Sequence, residues 1–142
     1  MAGMKFWNLT YNDPGRWAEV HAISGKPLNF WETLKSGGSG SPRGVMLTFP
    51  GGDGLLTETS NMKYCNAQRM RSGVVLYFKV RLEVYGIPLQ RGSVLRIETS
   101  RRQAESFPAQ LRIVMRNHSC IDLACSENNA AVWLRFLNAA LL

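Results

Sequence analysis

The chain has 142 residues, 45% of them hydrophobic, and a formal net charge of +7, which is one domain's length and too apolar for a disordered segment. No stretch approaches the roughly 20 apolar residues that span a bilayer. The start MAGMKFWNLTYNDPGR has no apolar run after its first basic residue, so the expectation is one soluble domain over 1–142, made in the cytoplasm, with no membrane partner.

The first 62 residues read as N-terminal hairpins and loops. Phe6, Trp7 and Leu9 suggest a strand that ends at the turn signal Asn12-Asp13-Pro14-Gly15. Trp17–Ile23 alternates loosely and reads as the return strand of a hairpin. Asn29–Leu34 is ambiguous, and the glycine- and serine-rich stretch Ser36–Pro42 reads as a surface loop. Val45–Phe49 is a predicted strand, Pro50–Gly54 a turn, and Leu55–Thr59 the resumed pairing of a second hairpin.

The clearest pattern is Val74–Tyr85. Its even positions are all apolar, while Tyr77, Lys79, Arg81, Glu83 and Tyr85 fill the odd ones from 77 onward. Side chains alternate faces along a strand, so this predicts one strand of about 40 Å with a buried and a wet face. Gly86-Ile87-Pro88 with Arg91-Gly92 predicts the next turn. Ser93–Thr99, with Arg96 and Glu98 on the face of Val94, and Ala109–Met115 follow as strands. The fold class predicted is α+β, mainly β: an antiparallel meander with one face on the core. Ser126 is a good N-cap, and Val132, Trp133, Phe136, Leu137, Ala140 and Leu141 make one stripe, so 127–141 is a predicted amphipathic helix. A helix this apolar covers either its own sheet or a neighbouring subunit.

Charge is concentrated in the middle. Residues 63–116 hold eleven basic groups against three acids, whereas 1–62 balance five against five. An unbalanced block is the footprint of a polyanion partner, because each neutralised phosphate releases counterions. The candidate RNA-binding residues are Tyr77, Lys79, Arg81 and Tyr85 on one strand face, with Lys63, Arg69 and Arg71 upstream and Arg96 and Arg112 from neighbouring strands. Cations pair with phosphates and aromatic rings stack on unpaired bases. A bland solvated face is the alternative, with Glu83 and Glu98 in its favour.

Enzymatic signatures are poor. His118, Cys120, Asp122 and Cys125 match no standard zinc spacing, and the glycine-rich stretches lack a phosphate-cradling arrangement. The expectation is no enzyme, no catalytic residues, no metal, no cofactor and no small-molecule substrate. The three cysteines, Cys65, Cys120 and Cys125, read as reduced thiols, an intersubunit disulfide being the alternative.

Residues 60–142 resemble the coat proteins of single-stranded RNA bacteriophages, the levivirus-like group. TSNMKYCNAQRMRSGVVLYFKVRLEV resembles that family's basic strand-turn-strand region, and SENNAAVWLRFLNAALL its closing helix. The resemblance implies a homodimer with joined sheets, assembly into an icosahedral shell, genomic RNA on the inner sheet face, and a place in the virion. It implies that Val132, Trp133, Phe136, Leu137 and Leu141 form the dimer and assembly interface. Two other readings stand beside it: a non-viral single-strand nucleic-acid-binding protein, and a β-sandwich lectin or toxin using its tryptophan-bearing loops.

Overall fold

Two antiparallel meanders share one strand and together grip a helix. The computed structural model describes residues 5–11, 13–29, 31–32, 42–57 and 62–142. In chain order these form β1 (Trp7–Asn8), α1 (Pro14–Ser24), β2 (Arg43–Thr48), α2 (Asp53–Leu56), β3 (Tyr64–Met70), β4 (Gly73–Val80), β5 (Glu83–Gln90), β6 (Val94–Arg101), β7 (Ala109–Met115), β8 (Cys120–Cys125) and α3 (Glu127–Leu141). The protein is thus mainly β, an eight-stranded antiparallel meander sheet with a C-terminal helix. Its strand order is β1-β5-β4-β3-β2-β8-β7-β6.

That order forces the sheet to curl. β5 and β6 stand six strand spacings apart, about 29 Å in a flat sheet. Yet only residues 91–93 connect them, a link that reaches at most about 14 Å between its flanking Cα atoms. A register shift between Met46 and Thr48 in the shared strand β2 bends the sheet near its middle. At the closure, Arg116 N donates to Ser93 O at 3.0 Å and Gly92 N to Leu141 O at 3.1 Å.

The concave face of the curl holds the main core, and α3 fills it. Trp133, Leu137 and Leu141 are fully buried against Leu76, Phe78, Leu111, Ile113 and Leu123. The Ser126 hydroxyl caps the helix by accepting from Asn129 N at 3.2 Å. Bounds and cap agree with the sequence expectation, and α3 covers its own sheet.

A smaller cluster lies on the convex face, where Leu9, Val20, Met70 and Val75 pack with Trp7, Trp17 and Tyr77 beneath α1. Here the sequence reading is corrected. Residues Trp17–Ile23 belong to a helix, not a return strand. Pro14 occupies its first turn, and Asp13 Oδ1 accepts from Gly15 N at 2.9 Å. Asp13, Pro14 and Gly15, read as part of a hairpin turn, therefore cap and start a helix, and Asn12 lies outside the described residues. Gly25, at φ 80°, ends the helix against the β3–β4 turn, where a Cβ would lie 2.7 Å from Ser72 N.

The single long strand over Val74–Tyr85 is also corrected. It divides at Arg81-Leu82 into the β4–β5 hairpin, with Arg81 at φ 57° and Leu82 85% exposed. Gly86-Ile87-Pro88 lies inside β5, and Pro88 falls beyond the two residue pairs that join β5 to β1, where a missing N–H is tolerated. Asp53–Leu56 is a short helix instead of resumed strand pairing. In β6 a register shift between Val94 and Arg96 turns Val94 into the core and Arg96 outward, so they do not share a face. Strand β3 falls in the strand-turn-strand region that the coat-protein resemblance implies, although the residue pattern alone did not mark it, and β8 was not anticipated. Of Ser36–Pro42 only Pro42, and of Asn29–Leu34 only Asn29, Trp31 and Glu32, lie among the described residues.

Candidate nucleic-acid interface

Strand register decides which of the candidate side chains can meet. Phe78 pairs with Cys65 and Tyr85, and Tyr77 pairs with Asn66 and Gly86. Phe78, Cys65 and Tyr85 therefore share the concave face, while Tyr77 and Asn66 share the convex one. Arg43 pairs with Asn66, which extends the convex row onto β2. Tyr64 and Lys79 lie two positions along β3 and β4 on the same face.

These five residues line a shallow groove of about 440 Å³ beside α1. Tyr64 is 62% exposed, and Arg43, Asn66 and Lys79 are exposed. Tyr77 is half-buried and donates its hydroxyl hydrogen to Gln68 Oε1 at 2.7 Å. Burial pushes its phenol up to about 12, so the ring is neutral and fixed in place. Among the described residues no acidic side chain lines the groove. It presents two aromatic rings, two cations and an amide, which suits the bases and phosphates of a single strand.

Only Tyr77 and Lys79 of the predicted constellation are here. Tyr85 faces the concave side, stacked on Phe78 with centroids 5.5 Å apart, and its hydroxyl donates to Glu83 Oε2 at 3.0 Å. The curled sheet puts it in the core, so it is not part of the wet face. Arg81 sits at the exposed hairpin tip, off the strand face. Lys63 is buried at the entrance to β3. Arg69 alternates with Cys65 and Ala67 onto the inner side of β3, near the end of α3. Arg71 pairs with Glu32 at 3.0 Å.

Arg96 and Arg112 do face outward, but on the other meander. Arg96 pairs with Glu98. Arg112 contacts both oxygens of Asp122 at 2.7 and 3.2 Å, and Asp122 also accepts from Thr48 Oγ1 at 3.2 Å. The Asp122 hydrogen bond and charge push the Arg112 guanidinium above its ordinary value. Val45 and Ala124 separate this ladder from the groove.

Of the predicted assembly residues, Trp133, Leu137 and Leu141 are fully buried in the chain's own core, and Val132 and Phe136 are partly buried. The curl gives the apolar helix face a home within one subunit. In the single chain these three side chains, expected at an interface between subunits, pack inward on the sheet that the helix covers.

Sequence reasoning missed Arg43, Tyr64 and Asn66. The signal was the alternation Tyr64, Asn66, Gln68 against Cys65, Ala67, a period-two pattern disguised by its small apolar members. All three cysteines are free. Burial raises the Cys65 thiol to about 12 and also raises Cys125, the reverse of what a nucleophile needs. Among the described residues no group of three or more His, Cys, Asp or Glu is placed to hold a metal ion. Nor is any described helix long and apolar enough to cross a membrane. No known protein family, curated protein or solved structure matches the chain.

Proposed function

We propose that the protein binds single-stranded RNA on the convex face of its sheet, with Tyr64 and Tyr77 contacting bases, and Lys79 and Arg43 contacting phosphates. The observation that carries this is the groove itself: two rings and two cations in register across three strands, with no acidic lining residue. Base–aromatic stacking contributes about 1–3 kcal/mol per base. Tyr64 is the ring with room to stack, so Tyr64→Ala should weaken binding of an unstructured oligonucleotide about thirtyfold, near the middle of that range. Lys79→Ala should weaken it further with no change in the unfolding midpoint.

A second reading adds self-assembly, as the coat-protein resemblance implies. Its support is the outer edge of β6, an eight-residue strand that pairs with β7 alone and is exposed over most of its length. Sizing the purified protein with its RNA separates the two. A small complex that loses RNA on Tyr64→Ala is the outcome expected of a binding module, and large RNA-bearing particles that of a shell. RNA affinity unchanged by both substitutions would refute the groove in either case.

A further inference from the structure

A second basic site lies at the opposite end of β3. Arg69, Arg71 and Arg91 line a pocket of about 280 Å³ with Glu32, Leu28, Met70 and Ala140. The three arginines come from β3, the β3–β4 turn and the β5–β6 turn, and the register Met70–Gly73–Gln90 across β3, β4 and β5 brings them to one end of the sheet. Arg71 donates from Nε and Nη2 to Glu32 Oε1 at 3.2 and 3.0 Å. Arg91 Nη2 donates to the backbone carbonyl of Leu142 at 3.3 Å.

Arg69 is the anomaly. It is half-buried, and no carboxylate or carbonyl among the described residues accepts from it. A guanidinium withdrawn from water without a counter-ion is costly, and its planar fork suits an oxyanion. Glu32 is also engaged elsewhere. Its Oε1 accepts from Asn29 N at 3.1 Å, while Asn29 Oδ1 accepts from Glu32 N at 2.9 Å, a reciprocal capping pair. Among the described side chains that line it, three guanidinium groups stand against one carboxylate, an excess of two positive charges. A carboxylate ligand would leave one of them unbalanced. A phosphomonoester, close to a dianion at neutral pH, balances both.

We propose that this pocket binds a phosphomonoester group, with Arg69 and Arg91 as its principal donors and Glu32 as a built-in competitor for Arg71. The site shares no residue with the RNA groove and stands or falls separately from it.

The test is a titration of the full-length protein with phenyl phosphate, followed on the arginine side-chain resonances. Saturable shifts at Arg69 and Arg91 are expected, with dimethyl phosphate, a monoanionic diester, producing far weaker ones. Arg69→Gln should lower the affinity about tenfold, the loss of one charge-assisted hydrogen bond. Glu32→Gln keeps the capping pair but removes the competing charge, so it should raise the affinity. A merely structural Glu32 would not do so. Equal responses to monoester and diester, an unchanged affinity in Arg69→Gln, or weaker binding in Glu32→Gln would each overturn the proposal. With the site established, comparing oligonucleotides that carry a 5′-phosphate or a 5′-hydroxyl identifies its source. A preference dependent on Arg69 assigns the phosphate to a strand end, and no preference to a free ester.

Discussion

Tyr77 and Cys65, from neighbouring rows of β4 and β3, show how burial sets chemistry on both faces of the sheet. Burial raises Tyr77 from 10.0 and Cys65 from 9.0, each to about 12. Both groups therefore hold their protons more tightly in the folded state than in the unfolded one. Stability is unaffected below pH 9, then falls as the unfolded chain ionises first, by about 1.4 kcal/mol per pH unit per group. Urea midpoints should begin to decline near pH 9, and replacing Cys65 and Cys125 together by Ala should move that onset toward the Tyr77 range near 10. An onset unmoved by the double substitution would mean that the thiols are not held protonated by the core. The strand face was legible in the sequence at Tyr77 and Lys79, whose alternation with Val74, Leu76 and Phe78 is clean. It failed at Tyr85 because the pattern stays in phase across Arg81-Leu82 as if no turn were there. A turn made without Gly, Asn or Pro leaves no compositional mark.

Among the elements, α3 and β2 depend on each other most closely. Gly44 faces the concave side, and a Cβ there would lie 2.7 Å from Ala124 O and 3.3 Å from Trp133 Nε1. The indole N–H donates to Arg43 O at 2.9 Å, so the helix is tied to the strand that joins the meanders. Gly44→Ala should cost about 1–3 kcal/mol by overpacking. Combined with Trp133→Phe, which removes part of the obstructing ring system, the loss should be less than additive in a double-mutant cycle. Strict additivity would show that the strand and the indole do not share this space. α3 was legible in full because its cap, its first-turn Glu127 and its stripe agree. α1 was not, because Asp13-Pro14-Gly15 serves equally as a turn or as a helix start. Choosing between them required the apolar surface of Val75 and Leu9, which lies elsewhere in the chain.

On the scale of the whole molecule, the charge block proves less concentrated than the sequence suggests. Arg71, Arg96, Arg101 and Arg112 are in ion pairs, three of them with Glu32, Glu127 and Asp122 from outside residues 63–116. Folding thus exports neutralising carboxylates into the block, which a linear count cannot register. The groove retains two cations, so the salt dependence of RNA binding should be shallow. A logarithmic slope of about −1.4 is expected for two phosphates on a single strand. Engagement of all eleven cations of the block would give about −8. Titrations at several salt concentrations decide between these. A slope near the steeper value would mean that the RNA runs well beyond the groove and displaces the internal carboxylates.

The short β5–β6 link carries a consequence for how the chain reaches this state. It brings β6 across the curl, but the cavity so formed has no content until α3 enters it. Trp133 meets Arg43 across 90 residues of sequence, and α3 also contacts β4, β6 and β7. Such distant partners make ordering slow, because loop closure must precede the gain from packing. During synthesis every strand is made before α3, so strands that pair ahead of the helix leave an apolar inner face and an open β6 edge uncovered for a time. That interval is when the chain is most exposed to association with other copies of itself.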